Sequence, residues 1–141
     1  MSGEYASLLR KRALAAFKWA QRACSEGDYD ICVLQAEYAV QLYIKSLLYR
    51  VLGEEVRGHN VRELLGLLAA SLMEQGIEDL ARDVADYVRR HRRELEELSE
   101  AHTRATYGLV EYGEREARLL LKITEQVLGK LKELERKLFG G

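Results

Sequence analysis

Hydrophobic residues recur along this chain at spacings of three and four positions, which is the period of an α-helix. Glycines interrupt this pattern at intervals, and proline is absent from all 141 residues. The pattern predicts five helices, approximately over residues 5–26, 28–52, 60–76, 77–102 and 114–138. We therefore expect an all-α protein, an up-and-down bundle of four or five helices packed side by side. No linker or change of composition divides residues 1–141, so we expect a single domain.

The second predicted helix, over residues 28–52, is apolar around most of its circumference. Only a narrow polar stripe remains, formed by Glu37, Gln41 and Lys45. A helix with so much apolar surface needs more than one packing partner, so it lies at the centre of the bundle or also faces another chain. We predict that two copies of the chain shield one another along this helix.

Two helix boundaries carry recognisable capping residues. Gly27 is suited to end the first helix, and the side chain of Asp28 is expected to cap the second. Asn60, three residues before Glu63, resembles a capping box at the start of the third helix. These residues fix the chain reversals of the predicted bundle.

The formal net charge of −1 provides no overall attraction to nucleic acid, so any such binding requires a local basic patch. The densest positive stretch contains Arg89, Arg90, Arg92 and Arg93 around His91. Acidic residues at helical spacing favour a salt-bridged surface there, while a site for phosphate or RNA is the alternative. We expect His91 to pack along the apolar stripe of the fourth helix.

The sequence contains no apolar run of the roughly 20 residues that a membrane-spanning helix needs. It also lacks a signal-peptide pattern, so we expect a cytoplasmic, soluble protein. No metal or cofactor motif is recognisable, and we expect neither. Cys24 and Cys32 flank the turn at Gly27, where helix pairing would bring them together, although two buried thiols are the more common arrangement.

Three short motifs follow one another in the order found in a known family. Residues 27–30 read GDYD, residues 36–47 read AEYAVQLYIKSL, and residues 59–65 read HNVRELL. Over about residues 8–135 the chain resembles the HEPN domain family, named for "higher eukaryotes and prokaryotes nucleotide-binding". Members of that family carry a GDYD turn, a helix with the pattern A-x-x-A-x-x-x-x-x-K-x-L and a helix start with the pattern H-x-x-x-x-L-L.

This resemblance implies a helical bundle that dimerises and is often encoded beside a minimal nucleotidyltransferase. Such pairs act as toxin–antitoxin or related defence modules. Many members are metal-independent ribonucleases, whose signature is an arginine followed, after four to six intervening residues, by a histidine. Their chemistry combines an imidazole that transfers protons with a guanidinium that holds the phosphate.

The ribonuclease signature is missing from this chain, because none of His59, His91 and His102 has an arginine at that spacing. His102 and Arg104 are close in sequence. In one interpretation they form a smaller phosphate-binding site, with one imidazole and one guanidinium from each protomer. The competing interpretation is that His102 ends the fourth helix and bonds its terminal carbonyl groups. We favour the second.

Lys45 and His59 also have two interpretations each. Lys45 either forms a solvated pair on the polar stripe or, as a family-like lysine facing the dimer groove, meets a phosphate or a partner carboxylate. His59 either packs against Leu64 or lies beside a phosphate at the start of the third helix.

We therefore predict a non-catalytic binding and assembly module, a homodimer that pairs with a nucleotidyltransferase-type protein. A nucleotide or RNA would bind in a basic dimer groove formed by Lys45, Arg89, Arg90, Arg92, Arg93 and Arg104. The alternative is a toxin-like, metal-independent ribonuclease that uses His102 and Arg104. A third possibility is a structural subunit that only stabilises a partner complex.

Overall fold

The computed structural model describes residues 2–140, and within this range the only regular structure is α-helical. The prediction of an all-α bundle is confirmed. No helix in the described range is both long and apolar enough to cross a bilayer. The helices are α1 (Ser2–Ser25), α2 (Tyr29–Leu52), α3 (Val61–Glu74), α4 (Glu78–Arg90), α5 (Arg92–Tyr107) and α6 (Glu114–Phe139).

A tight turn at Gly27 folds α1 back onto α2. Gly27 has a φ of +85°, a left-handed conformation that glycine adopts without the strain of a Cβ atom. The Asp28 amide donates to the Ala23 carbonyl at 2.9 Å, and the Gly27 amide donates to the Cys24 carbonyl at 3.3 Å. This pair of bonds is the Schellman arrangement of a helix end. Asp28 occupies the capping position of α2, but its side chain forms no capping bond, so that part of the prediction is wrong.

The start of α3 is capped as the sequence predicts. The Asn60 side-chain oxygen accepts from the Glu63 amide at 2.9 Å, which satisfies one of the free donors of the first turn. The capped start positions the preceding segment, including His59, beside α2. This segment forms one wall of the candidate site.

The fourth predicted helix is divided in two at His91, which corrects the prediction of one helix over residues 77–102. His91 has φ and ψ angles of −113° and 25°, outside the α-helical region, and its ring stacks at 4.3 Å from the ring of Tyr87. The break allows α4 to pack against α3 while α5 packs mainly against α2. The apolar spacing continues from Val84 through Leu95 across both helices, so the pattern alone does not mark the break.

Helix α2 lies at the centre of the bundle and packs against α1, α3, α5 and α6. Its apolar surface is therefore covered by other helices of the same chain. A central position, one of the two predicted explanations, therefore accounts for most of the apolar surface of α2, and shielding by a second copy stays a prediction. The exceptions are Leu52 at the end of the helix and two residues on an outer strip of α2, Ile31 and Tyr38, which remain 50% and 46% exposed.

A polar network crosses the core where α1, α2 and α6 meet. The fully buried Tyr43 donates from its hydroxyl to Glu135 Oε1 at 2.6 Å and accepts from Arg10 Nε at 3.1 Å. Burial, reinforced by the bond to Glu135, raises the pKa of Tyr43 to about 12. Tyr43 is thus an aromatic residue of the core, whereas Trp19 is 54% exposed on α1.

Candidate functional site

Two polar side chains of α2 are buried rather than solvated. Glu37 and Gln41, one helical turn apart, are only 1% and 7% exposed. Gln41 Nε2 donates to Glu37 Oε2 at 3.0 Å. Burial raises the pKa of Glu37, while the bond from Gln41 and the charges of His102 and Lys45 oppose this rise. The narrow polar stripe is therefore an enclosed polar site.

His102 on α5 faces this buried carboxylate. Its Nδ1 atom lies 3.7 Å from Glu37 Oε1, within the range of an ion pair but beyond a hydrogen bond. Glu37 Oε1 is buried and has no hydrogen-bond partner among the described residues. Because α5 continues to Tyr107, the expectation that His102 ends its helix and bonds terminal carbonyls is wrong.

His59 approaches the same two α2 side chains from the segment before α3. Its Nδ1 atom lies 3.2 Å from Gln41 Oε1, so Gln41 connects His59 to Glu37. Both histidines open onto one cavity of about 210 Å³, lined by Glu37, His59, Asn60, Ser99, His102 and Thr103. Two imidazoles thus share a cavity, and each is in contact with a polar side chain of α2.

His59 also lines a larger cleft, of about 600 Å³. The positively charged Lys45 and Arg57 both line it. So do Tyr5 and Tyr49, whose rings meet edge to face with centroids 4.9 Å apart. The carboxylate of Glu55, which accepts from the Tyr5 hydroxyl, lines it as well, so the cleft combines two cations and one carboxylate with an imidazole and aromatic rings.

Arg104 lies on the opposite side of α5 from His102. Its guanidinium pairs with Glu116 of α6 at 3.0 Å and stacks over the Tyr112 ring at 4.2 Å. Residues two positions apart on a helix point in nearly opposite directions. His102 and Arg104 are therefore separated, and within one chain they do not form the phosphate site that their closeness in sequence suggests.

The arginines around His91 cluster where α4 meets α5, and all four are exposed. Arg89 pairs with Asp86, and Arg92 pairs with Glu96 at 3.5 Å. These two pairs agree with the salt-bridged surface that the sequence favours. Because Lys45 lines the large cleft and Arg104 faces α6, the six candidate phosphate ligands occupy three separate places in one chain.

Sequence reasoning missed several residues of this region. Glu37 and Gln41 were assigned to a solvated surface, and Arg57 was not considered. One signal was present, because Glu37 has Val33 and Val40 as helical neighbours on an almost entirely apolar helix. A charged residue in such a setting is buried beside a partner or a ligand.

The geometry identifies no metal centre. Within residues 2–140, no group of three or more histidine, cysteine, aspartate or glutamate side chains is arranged to hold a metal ion. The arrangement instead offers two imidazoles, a buried carboxylate and nearby cations. These groups are suited to binding an anion or to moving a proton.

Comparison with protein families gives a match over most of the chain. Residues 6–134 match the family model described as "HEPN domain". Searches of curated proteins and of solved structures give no match.

Proposed function

The chain belongs to the HEPN domain family, and on that basis we propose that it is a non-catalytic, nucleotide-binding assembly module of the cytoplasm. In this proposal the module forms a homodimer and pairs with a minimal nucleotidyltransferase-type protein. The pair acts as a toxin–antitoxin or related defence system.

The observation that carries the nucleotide part of the proposal is the convergence of Lys45, Arg57 and His59 in one cleft. A lysine and an arginine are the usual partners of phosphate groups in proteins. The edge-to-face rings of Tyr5 and Tyr49 supply an aromatic surface against which a base can stack. A cleft of about 600 Å³ is within the usual range for small-ligand sites.

Two observations favour a non-catalytic role over RNA cleavage. The arginine–histidine spacing of ribonuclease members is missing, and Arg104 is turned toward Glu116 and away from His102. Because Arg104 is turned away, His102 lacks the guanidinium that would hold a phosphate during transfer. We therefore assign the chain to binding rather than to cleavage.

Calorimetric titration with adenosine and guanosine nucleotides tests this assignment. We expect a saturable heat for at least one nucleotide, which weakens with rising salt because phosphate binding is electrostatic. The absence of any heat at millimolar nucleotide would contradict the binding role. The chain would then be a structural subunit.

Formation of a homodimer is supported by the family and by the exposed strip of α2. Ile31 and Tyr38 lie two turns apart on one face of that helix, and each is about half exposed. We expect light scattering at micromolar concentration to give the mass of a dimer. Tyr38→Glu should then give a monomer, whereas the control Met73→Glu, at an exposed apolar residue of α3, should not. A monomeric wild type would rule out this assembly.

The nucleotidyltransferase-type partner is proposed from the family alone. The test is to express a tagged chain together with the nucleotidyltransferase encoded nearest to its gene. Co-elution of both proteins at a fixed ratio is expected. Separate elution at micromolar concentration would remove the partner from the proposal.

One contact favours a second candidate function, metal-independent RNA cleavage. Glu37 Oε1 lies 3.7 Å from His102 Nδ1, and a carboxylate beside an imidazole is a common arrangement for a proton-transferring histidine. In that case Lys45, whose charge acts on Glu37, would hold the phosphate in place of Arg104. Incubation of labelled RNA with the protein in EDTA distinguishes this function from binding alone.

A further inference from the structure

The two cysteines of the chain meet inside the α1–α2 hairpin. Cys24 Sγ and Cys32 Sγ are 2.6 Å apart, and the side chains are 1% and 0% exposed. Both cysteines are free thiols in this structure. A disulfide bond is about 2.05 Å long, so only a small displacement separates this contact from a covalent bond.

The turn at Gly27 holds the two thiols together. Cys24 lies in the last turn of α1, and its carbonyl accepts the Gly27 amide of the Schellman arrangement. Cys32 lies in the first turn of α2, where its amide donates to the Asp28 carbonyl at 2.9 Å. The backbone of one hydrogen-bonded turn thus holds both cysteines, so the two side chains that bring the sulfur atoms together start from fixed positions.

We propose that Cys24 and Cys32 are a redox-active pair that takes a low-molecular-weight disulfide, such as oxidised glutathione, and forms an intrachain disulfide bond. One thiolate attacks a glutathione sulfur, breaks the S–S bond and leaves a mixed disulfide. The second thiolate attacks the protein sulfur of that mixed disulfide and releases the second glutathione. The two thiol protons end on two glutathione molecules, which also take up the two electrons.

Burial sets the conditions under which this reaction occurs. Burial of Cys32, followed by its hydrogen bond with Cys24, raises the pKa of its thiol, so little thiolate exists in the folded chain at neutral pH. The first attack therefore requires local opening of the turn or takes place before folding is complete. Once a mixed disulfide has formed, the short distance between the sulfur atoms favours ring closure over a second glutathione adduct.

The bond would also act on a segment outside the hairpin. Asp30, two residues before Cys32, accepts the Tyr112 amide at 2.9 Å and so connects the turn to the segment between α5 and α6. Closing the turn restricts the unfolded chain and holds this junction in place. The oxidised form should therefore have the higher melting temperature.

The test compares reduced and oxidised wild-type protein. Unfolded, reduced chain is refolded with oxidised and reduced glutathione, and its intact mass and free thiols are measured under denaturing conditions. We expect a mass lower by about 2 Da, no reaction with a thiol reagent, a monomeric band on a non-reducing gel and a melting temperature that a phosphine reductant lowers again. The Cys24→Ser and Cys32→Ser variants should each carry one glutathione adduct instead.

Two free thiols, two glutathione adducts or disulfide-linked dimers in the wild type would each overturn the proposal. The double variant with alanine at both positions is the matched control for the melting temperature, because the oxidant should leave it unchanged. Nucleotide binding is not involved in any of these measurements. The result is therefore independent of the function proposed above.

Discussion

Oε1 of Glu37 on α2 lies 3.7 Å from Nδ1 of His102 on α5, and this carboxylate oxygen has no hydrogen-bond partner among the described residues. The carboxyl group is almost completely buried, whereas the imidazole is largely exposed. A buried charge without a full set of partners is costly, so a site of this kind is retained for binding or proton transfer more often than for stability.

Glu37→Gln should stabilise the fold at neutral pH by on the order of 1 kcal/mol, because it removes a poorly solvated charge. Burial raises the pKa of Glu37 above its usual value of 4.5. Between pH 4.5 and the folded pKa, this carboxyl group therefore binds fewer protons in the unfolded chain than in the folded one. Stability therefore falls as the pH rises through that window. Urea unfolding between pH 4.5 and 8 should show the advantage of the variant shrinking on acidification.

The control for this series is Glu125→Gln, which changes an exposed carboxylate of α6. Its unfolding curves should follow those of the wild type at each pH. A variant of Glu37 that is less stable than the wild type at pH 8 would mean that the charge is satisfied in solution.

Lys45→Ala should weaken nucleotide binding about tenfold, because one charge-assisted bond to phosphate is lost. Lys122→Ala changes an exposed lysine of α6 outside the cleft and should leave the affinity unchanged. Arg104→Ala should also have no effect, since Arg104 pairs with Glu116. Calorimetry measures all three variants, and a loss caused by Arg104→Ala but not by Lys45→Ala would place the ligand elsewhere.

The wild-type protein should leave labelled RNA intact in EDTA, as expected of a binding module. Gel analysis over several hours, with a protein-free control, provides the measurement. Cleavage that disappears in both His102→Ala and Glu37→Gln, but persists in Arg104→Ala, would instead support the second candidate function.

Tyr43→Phe should destabilise the fold by about 1 kcal/mol, because Glu135 loses one donor while its pairing with Arg10 remains. The folded pKa of about 12 exceeds the ordinary value of 10.0, so the unfolded chain loses this proton first. Wild-type stability should therefore fall by about 2 kcal/mol between pH 10 and 12. Urea unfolding at pH 8 and pH 11 should show a smaller loss of stability for Tyr43→Phe than for the wild type.

Tyr107→Phe is the matched control, since Tyr107 is exposed. This variant should lose as much stability at alkaline pH as the wild type does. An identical pH profile for Tyr43→Phe and the wild type would show that Tyr43 ionises as freely in the folded chain as in the unfolded one.

Gly27→Ala should lower the free energy of unfolding by about 1 kcal/mol, because a side chain disfavours the left-handed conformation at φ +85°. Gly129→Ala should have the opposite effect and stabilise α6 by about 0.5 to 1 kcal/mol, since a Cβ atom there meets nothing within 4 Å. Thermal unfolding of both variants checks the two signs. Equal effects would indicate that the turn at Gly27 relaxes in solution.

The hydrophobic pattern predicted where the helices lie but not what covers them. The apolar breadth of α2 was visible in the sequence, yet it was equally compatible with a central helix and with a dimer surface. Periodicity reports how much apolar surface a helix has, whereas its neighbours depend on contacts between distant parts of the chain. For the same reason the break at His91 was missed, because apolar spacing runs through it unchanged.

The candidate site was predicted only in part. His102, His59 and Lys45 were identified from their residue types and from the family pattern, and all three line cavities beside α2. Arg104 was paired with His102 because the two are close in sequence, although a separation of two places them on opposite sides of a helix. Glu37 was overlooked because a carboxylate at helical spacing from a lysine is usually solvated.

The enclosure of α2 by four other helices has a consequence for how the molecule opens. The amide hydrogens of a helix covered on nearly every side exchange with solvent only when the surrounding structure separates. Deuterium uptake along residues 36–48 should therefore report unfolding of the entire bundle, whereas the ends of α1 and α6 fray independently. Since Lys45 lies on that slowly exchanging helix, a bound phosphate would slow the opening of the entire molecule.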